Sequence, residues 1–265
     1  MSSSEQGATA HAPTNGDTVS GINGQTSAES APVNAQVEST STATPFDLEL
    51  PTSAADGLIQ KPFAKPLDTA KPAAPAELTP EQQSKYEAVL KSASSWTTVA
   101  TKAGKDAPTS PITEDEKMWL SRECLLRYLR ATKWNVSEAE TRLQSTLTWR
   151  REYDLKKLTP EYISIENETG KQVILGYDNN GRPCLYLLPS NQNTEKSDRQ
   201  LEHLVFMLER AIDIMGPGQE TLALIVNFKE TKSGQNASIG QAKQTLGFLQ
   251  NHYPERLGRS LVING

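Results

Sequence analysis

The chain has 265 residues and a formal net charge of −5, and that charge is unevenly distributed. Residues 1–60 contain seven acidic residues and no Lys or Arg, so the remaining 205 residues sum to +2. A nearly neutral folded part lacks the basic face that a general nucleic-acid binder needs, and we expect no nucleic-acid partner. The two cysteines, Cys124 and Cys184, are too few for a disulfide framework or a zinc site.

The N-terminus and the hydropathy pattern predict a soluble chain. The N-terminus, from residues 1–6 onward, has neither the basic region nor the apolar run of a secretory signal. The longest aliphatic run, residues 222–226, is far shorter than the roughly 20 residues that a membrane-spanning helix requires. We therefore expect a cytoplasmic protein whose contact with membranes or lipid droplets is peripheral.

Residues 1–77 are predicted to form a disordered tail. The segment consists mostly of Ser, Thr, Ala, Pro, Gly, Asn and Gln, and its only aromatic residues are Phe46 and Phe63. Such a composition buries too little apolar surface to offset the entropy lost on ordering. The prolines of residues 62–75 indicate an extended linker, and a short peptide ligand for a partner is the alternative.

A helical subdomain is predicted over residues 78–153. Thr79 and Thr113 each begin the pattern of a capping box, which places the N-terminus of a helix directly after each of them. The second of these helices is expected to continue until Asn135 breaks it. A third helix is expected to begin after an N-cap at Ser137, with leucines spaced by four on its apolar face.

Residues 160–265 predict the element order β-β-α-β-α-β. Two apolar runs flank Asn180-Gly181, which is the pattern of a hairpin. An amphipathic helix over residues 198–215 precedes Leu222–Phe228, an apolar strand of the kind that is buried on both faces. A helix from about Ile239 to Tyr253 and a final strand follow. Strands separated by single helices predict an α/β fold with a largely parallel sheet.

No sequence motif supports an enzyme. His203 and His252 are 49 residues apart, and neither a His-Glu-x-x-His, a Cys-x-x-Cys nor a Gly-x-Ser-x-Gly motif occurs. The Thr169-Gly170-Lys171 stretch resembles the end of a phosphate-binding loop, but Ile165 stands where that loop needs its first glycine. We predict that the chain is not an enzyme and needs neither a cofactor nor a metal.

Four stretches of the folded part combine, in order, into a recognisable pattern. They are residues 125–134 (LLRYLRATKW) with 148–153 (TWRREY), residues 166–177 (ENETGKQVILGY), residues 203–210 (HLVFMLER) and residues 252–258 (HYPERLG). This pattern resembles the CRAL-TRIO lipid-binding family, and most of all the fungal phosphatidylinositol transfer proteins of the pleiotropic-drug-resistance group. The resemblance implies a helical N-terminal subdomain followed by a mixed, largely parallel CRAL-TRIO sheet with helices, truncated at the C-terminus.

The same resemblance implies a lipid carrier whose cavity is closed by a mobile gate helix. Each lipid methylene left in water costs about 0.8 kcal/mol, so a carrier has to enclose acyl chains in a dry apolar cavity. The predicted lining residues are Leu222, Leu224 and Val226 on the apolar strand, with Leu204 and Leu208 on the preceding helix. A solid core is the alternative, because periodicity does not distinguish core residues from the lining of a cavity.

Two residues are implied as contacts of the inositol phosphate head group. Glu255 occupies the position of the family's acceptor for inositol hydroxyls, and Lys133 matches a basic head-group position, whereas Thr132 stands where the family often has Arg. As alternatives, Lys133 is an exposed helix-end lysine and Glu255 is a surface partner of a neighbouring arginine.

The expected ligand is phosphatidylinositol, with transient membrane contact and presentation to a phosphoinositide kinase as further implications. Leu222 and Leu224 stand where family members that exchange phosphatidylcholine have hydroxyl residues, so we expect little exchange of that lipid and consider a sterol as a second ligand. The competing hypothesis is a truncated adaptor or inactive fragment that binds partners through its disordered tail and carries no lipid. In that case the last strand leaves an open edge and an exposed apolar patch.

Overall fold

The computed structural model describes residue 63 and residues 65–265. The predicted disordered tail therefore lies outside the described residues, except for Phe63 and residues 65–77. Within the described part, no helix is long and apolar enough to cross a membrane. The helices and strands, in chain order, are α1 (Pro80–Ser94), β1 (Thr98–Ala100), β2 (Thr109–Pro111), α2 (Glu114–Trp119), α3 (Arg122–Ala131), α4 (Val136–Glu152), α5 (Pro160–Asn167), β3 (Gln172–Tyr177), β4 (Pro183–Leu187), α6 (Arg199–Asp213), β5 (Leu222–Asn227), α7 (Ile239–Asn251) and β6 (Leu257–Ile263).

The predicted capping boxes at Thr79 and Thr113 are both formed. However, the helix predicted from Thr113 to Asn135 is two helices, because α2 ends at Trp119 and the Ser121 hydroxyl accepts the backbone N–H that begins α3. Asn135 is the N-cap of α4 rather than only a helix breaker, so α4 begins ahead of the predicted cap at Ser137. Ser and Asn are strong N-cap residues, and here each reorients the chain between packed helices.

The helices α1, α3 and α4 enclose one hydrophobic cluster. Its fully buried members include Val89 of α1, Leu125 and Leu129 of α3, and Leu143 of α4. Burying each such side chain contributes about 1.5–3 kcal/mol to the stability of the folded state. Three of the four tryptophans are partly buried and pack against the edge of this cluster.

The central sheet has the order β3-β4-β5-β6. The β3–β4 pair is antiparallel, whereas β4–β5 and β5–β6 are parallel, so the predicted mixed, largely parallel sheet is confirmed. At the tip of the β3–β4 hairpin, Gly181 has φ 72°, a backbone conformation that glycine adopts without strain. The Asp178 carboxylate accepts the N–H groups of Asn180 and Arg182 and fixes the turn.

Helix α6 packs across this sheet and forms the second hydrophobic cluster. Val205 and Leu208 of α6, Leu185 of β4, and Leu222 of β5 are its buried centre. By contrast, β6 forms one edge of the sheet and all seven of its residues are exposed. A strand with an exposed surface therefore borders the sheet.

The proline-rich segment 65–77 contacts the tip of the β3–β4 hairpin. Ala70 is only 8% exposed, and a Cβ atom at Gly181 would lie 3.4 Å from the Ala70 carbonyl oxygen. A Cβ at Gly218 would lie 3.6 Å from the Pro72 ring. This part of the predicted linker is therefore packed against the folded chain, a contact that its composition did not indicate.

Candidate functional site

An apolar cavity of about 480 Å³ lies between α6, α7 and strands β4 to β6. Its walls include Leu204 of α6, Leu224 and Val226 of β5, and Leu249 of α7. The volume falls within the range of about 300–1,000 Å³ that is typical of small-molecule sites, and such sites are mostly apolar with a few polar groups. Exposed apolar side chains border it, since Leu246 is 56% and Leu257 42% exposed.

The structure separates the five predicted lining residues into two groups. Leu204, Leu224 and Val226 line the cavity. Leu208 and Leu222 instead lie in the core, 2% and 1% exposed, where α6 packs directly on the sheet. Because Leu222, Leu224 and Val226 alternate onto one face of β5, that face lies over solid core at its N-terminal end and over the cavity farther along.

A polar cluster closes one end of the apolar cavity. The buried Lys171 ammonium is paired with Glu166 and also donates to Gln192 Oε1 (2.7 Å) and Thr194 Oγ1 (3.1 Å). The Gln172 side-chain oxygen, which also belongs to this end, is buried and has no hydrogen-bond partner among the described residues. The sequence placed Lys171 in a rejected resemblance to a phosphate-binding loop and did not indicate its buried pairing with Glu166, since lysine and glutamate are rarely buried.

His203 lies behind this polar cluster. Its Nε2 is 3.2 Å from Asn167 Oδ1, and its Nδ1 is buried with no partner in the described part of the chain. Burial, together with repulsion from Lys171, lowers the pKa of His203 to about 4. The imidazole is therefore neutral at physiological pH, and it serves as a packed polar group of α6.

The other histidine and the cysteines have separate surroundings. The His252 ring does not belong to the polar cluster near His203. It stacks on Trp149 with 4.1 Å between ring centroids. Both cysteines are buried and unpaired, and burial raises the pKa of the Cys124 thiol to about 11. Among the described residues, no three His, Cys, Asp or Glu side chains are grouped to hold a metal ion.

The two predicted head-group residues lie outside the apolar cavity. Lys133 is exposed and follows the C-cap of α3, and Glu255 lies between α7 and β6 with its side chain 46% exposed. Both have a left-handed backbone, with φ 52° and 60°. At Lys133 this conformation ends α3, as it commonly does directly after a helix C-cap.

The charged partner of Glu255 comes from α3. The Glu255 carboxylate lies 3.7 Å from Arg130 Nε, so its nearest cation is neither Lys133 nor one of the arginines next to it in sequence. Arg130 also donates to Glu220 at 2.8 Å. Thr132 is buried, and its hydroxyl lies 2.9 Å from the Tyr128 carbonyl oxygen, so it closes the end of α3 instead of facing a ligand.

Comparisons with known proteins agree with this architecture. The profile of the CRAL/TRIO domain matches residues 167–265, and that of the CRAL/TRIO N-terminal domain matches residues 85–145. A CRAL-TRIO domain-containing protein of Schizosaccharomyces pombe is 52% identical over 211 residues, which are 79% of this chain and 21% of that protein. The phosphatidylinositol transfer protein PDR17 of Saccharomyces cerevisiae is 44% identical over 173 residues, which are 61% of this chain and 49% of PDR17.

The chain thus spans half or less of the length of these two relatives. The crystal structure of Sfh5 superposes with a TM-score of 0.45 at 18% identity, over 53% of this chain and 54% of Sfh5. The two domain profiles match consecutive parts of the sequence that together make up more than half of it. The chain belongs to the CRAL-TRIO family of lipid-binding proteins.

Proposed function

We propose that this protein binds phosphatidylinositol in the apolar cavity and transfers it between membranes. The observation that carries the proposal is the cavity of about 480 Å³ walled by Leu204, Leu224 and Val226. Transfer of a lipid exchanges one bound molecule for another and breaks no covalent bond, so the function needs no catalytic residue and no cofactor. The similarity to PDR17, a phosphatidylinositol transfer protein, supports the choice of ligand.

In this proposal the head group lies near Glu255 and Lys133, beyond the apolar walls. The Glu255 carboxylate is able to accept hydrogen bonds from inositol hydroxyls, and the Lys133 ammonium to pair with the phosphate. The exposure of both side chains supports this assignment. Leu224, which lines the cavity, cannot hydrogen-bond a choline phosphate, and phosphatidylcholine is accordingly a poor ligand.

Further elements of the proposal concern other partners and the location of the protein. An apolar second ligand such as a sterol suits the largely apolar walls, and delivery of phosphatidylinositol to a phosphoinositide kinase follows from the ligand. The protein acts in the cytoplasm, in transient contact with membranes or lipid droplets. Imaging of a fluorescent fusion beside membrane and lipid-droplet markers tests the location, and a fusion confined to another compartment contradicts it.

The second candidate function is an adaptor that carries no lipid. The exposed apolar residues of α7 and β6, such as Ile239 (92% exposed) and Val262 (63% exposed), favour it, because exposed apolar surface is available for association. Under this alternative the same surface binds a protein partner, and purified protein contains no lipid.

Mass spectrometry of lipids that co-purify with the chain distinguishes the two functions. We expect phosphatidylinositol in the wild-type protein and at least about tenfold less of it in Leu224→Asp, because an unpaired carboxylate in an apolar cavity opposes acyl-chain binding. Leu261→Asp, at a side chain of β6 that is 43% exposed, is the matched control and keeps the lipid. Glu255→Ala separates the head-group assignment from the cavity, since it should lower inositol lipid selectively.

Two results oppose the proposal. Wild-type protein that contains no lipid and takes up none from vesicles supports the adaptor. Equal lipid content in Leu224→Asp and Leu261→Asp places the ligand elsewhere.

A further inference from the structure

A second cavity, of about 320 Å³, lies between the N-terminal helices and the segment that follows α7. It shares no lining residue with the apolar cavity. Three guanidinium groups contribute to its wall, from Arg127 of α3, Arg150 of α4 and Arg256. Three carboxylates, from Asp115, Glu209 and Asp213, also line it, so this cavity is strongly polar whereas the first cavity is apolar.

One of the three guanidinium groups is fully paired within the protein. Arg150 donates two parallel hydrogen bonds to the Glu209 carboxylate, at 2.9 and 3.1 Å. The Tyr253 hydroxyl donates a third to the same carboxylate at 2.7 Å. This bidentate pair satisfies both charges and leaves little capacity for a ligand.

Arg127 and Arg256 lack such a partner. The carboxylate nearest to Arg127 belongs to Glu220 at 3.8 Å, and Glu220 makes its shorter contact, 2.8 Å, with Arg130. The Arg127 side chain is only 6% exposed, and its Nε has no hydrogen-bond partner within the described residues. For Arg256, no carboxylate of residues 65–265 lies within 4.0 Å, and its Nη1 donates to the Glu220 carbonyl oxygen at 2.8 Å.

The two guanidinium groups also repel each other. Burial is the main reason that the pKa of Arg256 falls to about 10, and the charge of Arg127 contributes to that decrease. Buried charges are normally paired, because an unpaired charge in a low-dielectric interior is costly. Both arginines are thus held beside the cavity with donors that the protein does not fully use.

The remaining acids of the lining do not neutralise these arginines. Asp213 is exposed and contacts Arg210 at 2.7 Å, and Asp115 is exposed and lies 3.8 Å from Lys156. Two forked guanidinium groups suit an oxyanion that offers several acceptor oxygens, and arginine is the side chain best adapted to bidentate recognition of phosphate. We propose that the cavity beside Arg127 and Arg256 binds a phosphate group, either as inorganic phosphate or as the phosphate monoester of a lipid head group.

Binding of inorganic phosphate to the whole chain tests the proposal. Isothermal titration at constant ionic strength, with chloride as the comparison anion, should show saturable binding of one phosphate. Arg256→Gln should weaken it about 10- to 100-fold, the range expected for losing one hydrogen bond to a charged group. Lys229→Gln removes an equal charge at a side chain that is 69% exposed, and it should bind phosphate like the wild type.

A variant that is expected to strengthen phosphate binding keeps the test informative if Arg256→Gln fails to fold. Glu209→Gln removes the carboxylate that occupies Arg150, so phosphate should bind more tightly than in the wild type.

Vesicles of phosphatidylcholine with or without phosphatidic acid identify the source of the phosphate group. Vesicle binding that needs both phosphatidic acid and Arg256 assigns a lipid monoester, and binding of inorganic phosphate alone assigns the free ion. The proposal is overturned if neither probe binds, or if binding is unchanged in both Arg256→Gln and Glu209→Gln.

Discussion

Acidification is predicted to destabilise the protein through the buried histidine of α6. His203 has no exposed surface, and burial lowers its pKa from an ordinary value of 6.5 to about 4. Since the folded-state value is the lower one, the unfolded chain takes up the proton first as the pH falls below 6.5. The stabilisation is therefore complete above pH 6.5 and is lost as the pH falls towards 4.

The size of the effect follows from the two pKa values. Between pH 7.5 and 4.5, a histidine that titrates at 6.5 when unfolded and at about 4 when folded removes about 2.5 kcal/mol from the free energy of unfolding. For a folded part of about 200 residues, this corresponds to a decrease in Tm of about 5–10 °C. His252 also has its pKa lowered to about 4 by burial, so the wild type loses more than this in total.

Urea unfolding at a series of pH values, for the wild type and for His203→Gln, measures the contribution of this one residue. Glutamine is polar and does not titrate, so the variant should lose about 2.5 kcal/mol less than the wild type between pH 7.5 and 4.5. Comparing the two pH dependences cancels any constant cost of the substitution. If they agree within about 0.5 kcal/mol, the reasoning about His203 is refuted.

Two further predictions concern packing and anchoring. Gly258→Ala should destabilise the protein by about 1–3 kcal/mol in urea unfolding, because the new Cβ would lie 2.5 Å from both Arg182 Nε and Thr221 Oγ1. Gly247→Ala on α7, where nothing lies within 4 Å, is the control and should leave stability unchanged or raise it by up to about 1 kcal/mol; equal effects of the two would contradict the packing argument. Arg151→Gln should release the β1–β2 hairpin from α4, because Arg151 donates to the Val99 carbonyl oxygen (2.7 Å) and to Glu116. Hydrogen exchange of the hairpin amides should then accelerate while the amides of α6 remain protected; unchanged hairpin exchange would show that other contacts hold it.

The four quoted stretches of sequence were sufficient to identify the family, but they did not reveal what each residue does in them. The stretch 252–258 illustrates the difference. Its Glu255 is exposed and in contact with Arg130, its Arg256 lines the second cavity, and its Gly258 is a glycine because Arg182 and Thr221 leave no room for a side chain. Each of these facts depends on residues 35 or more positions away in the chain.

The helix boundaries show a similar limit. Capping boxes are local patterns, and those at Thr79 and Thr113 were read correctly because every participating atom lies within four residues. The break between α2 and α3 and the cap at Asn135 were missed, since Ser121 and Asn135 are ordinary polar residues until the packing of neighbouring helices fixes the direction of the chain.

The sequence by itself determined the elements from β3 to β6 and the capped starts of α1 and α2, because hydrophobic periodicity and local caps act over a few residues. The resemblance of four stretches implied the family and its mixed sheet, whereas the β1–β2 hairpin and α5 were not predicted. Only the tertiary structure decided that Leu224 and Val226 face a cavity whereas Leu222 lies in solid core. The three residues are equivalent in periodicity, and what separates them is the distance at which α6 and α7 lie over each part of β5. That distance arises from contacts between elements remote in sequence, which no local pattern encodes.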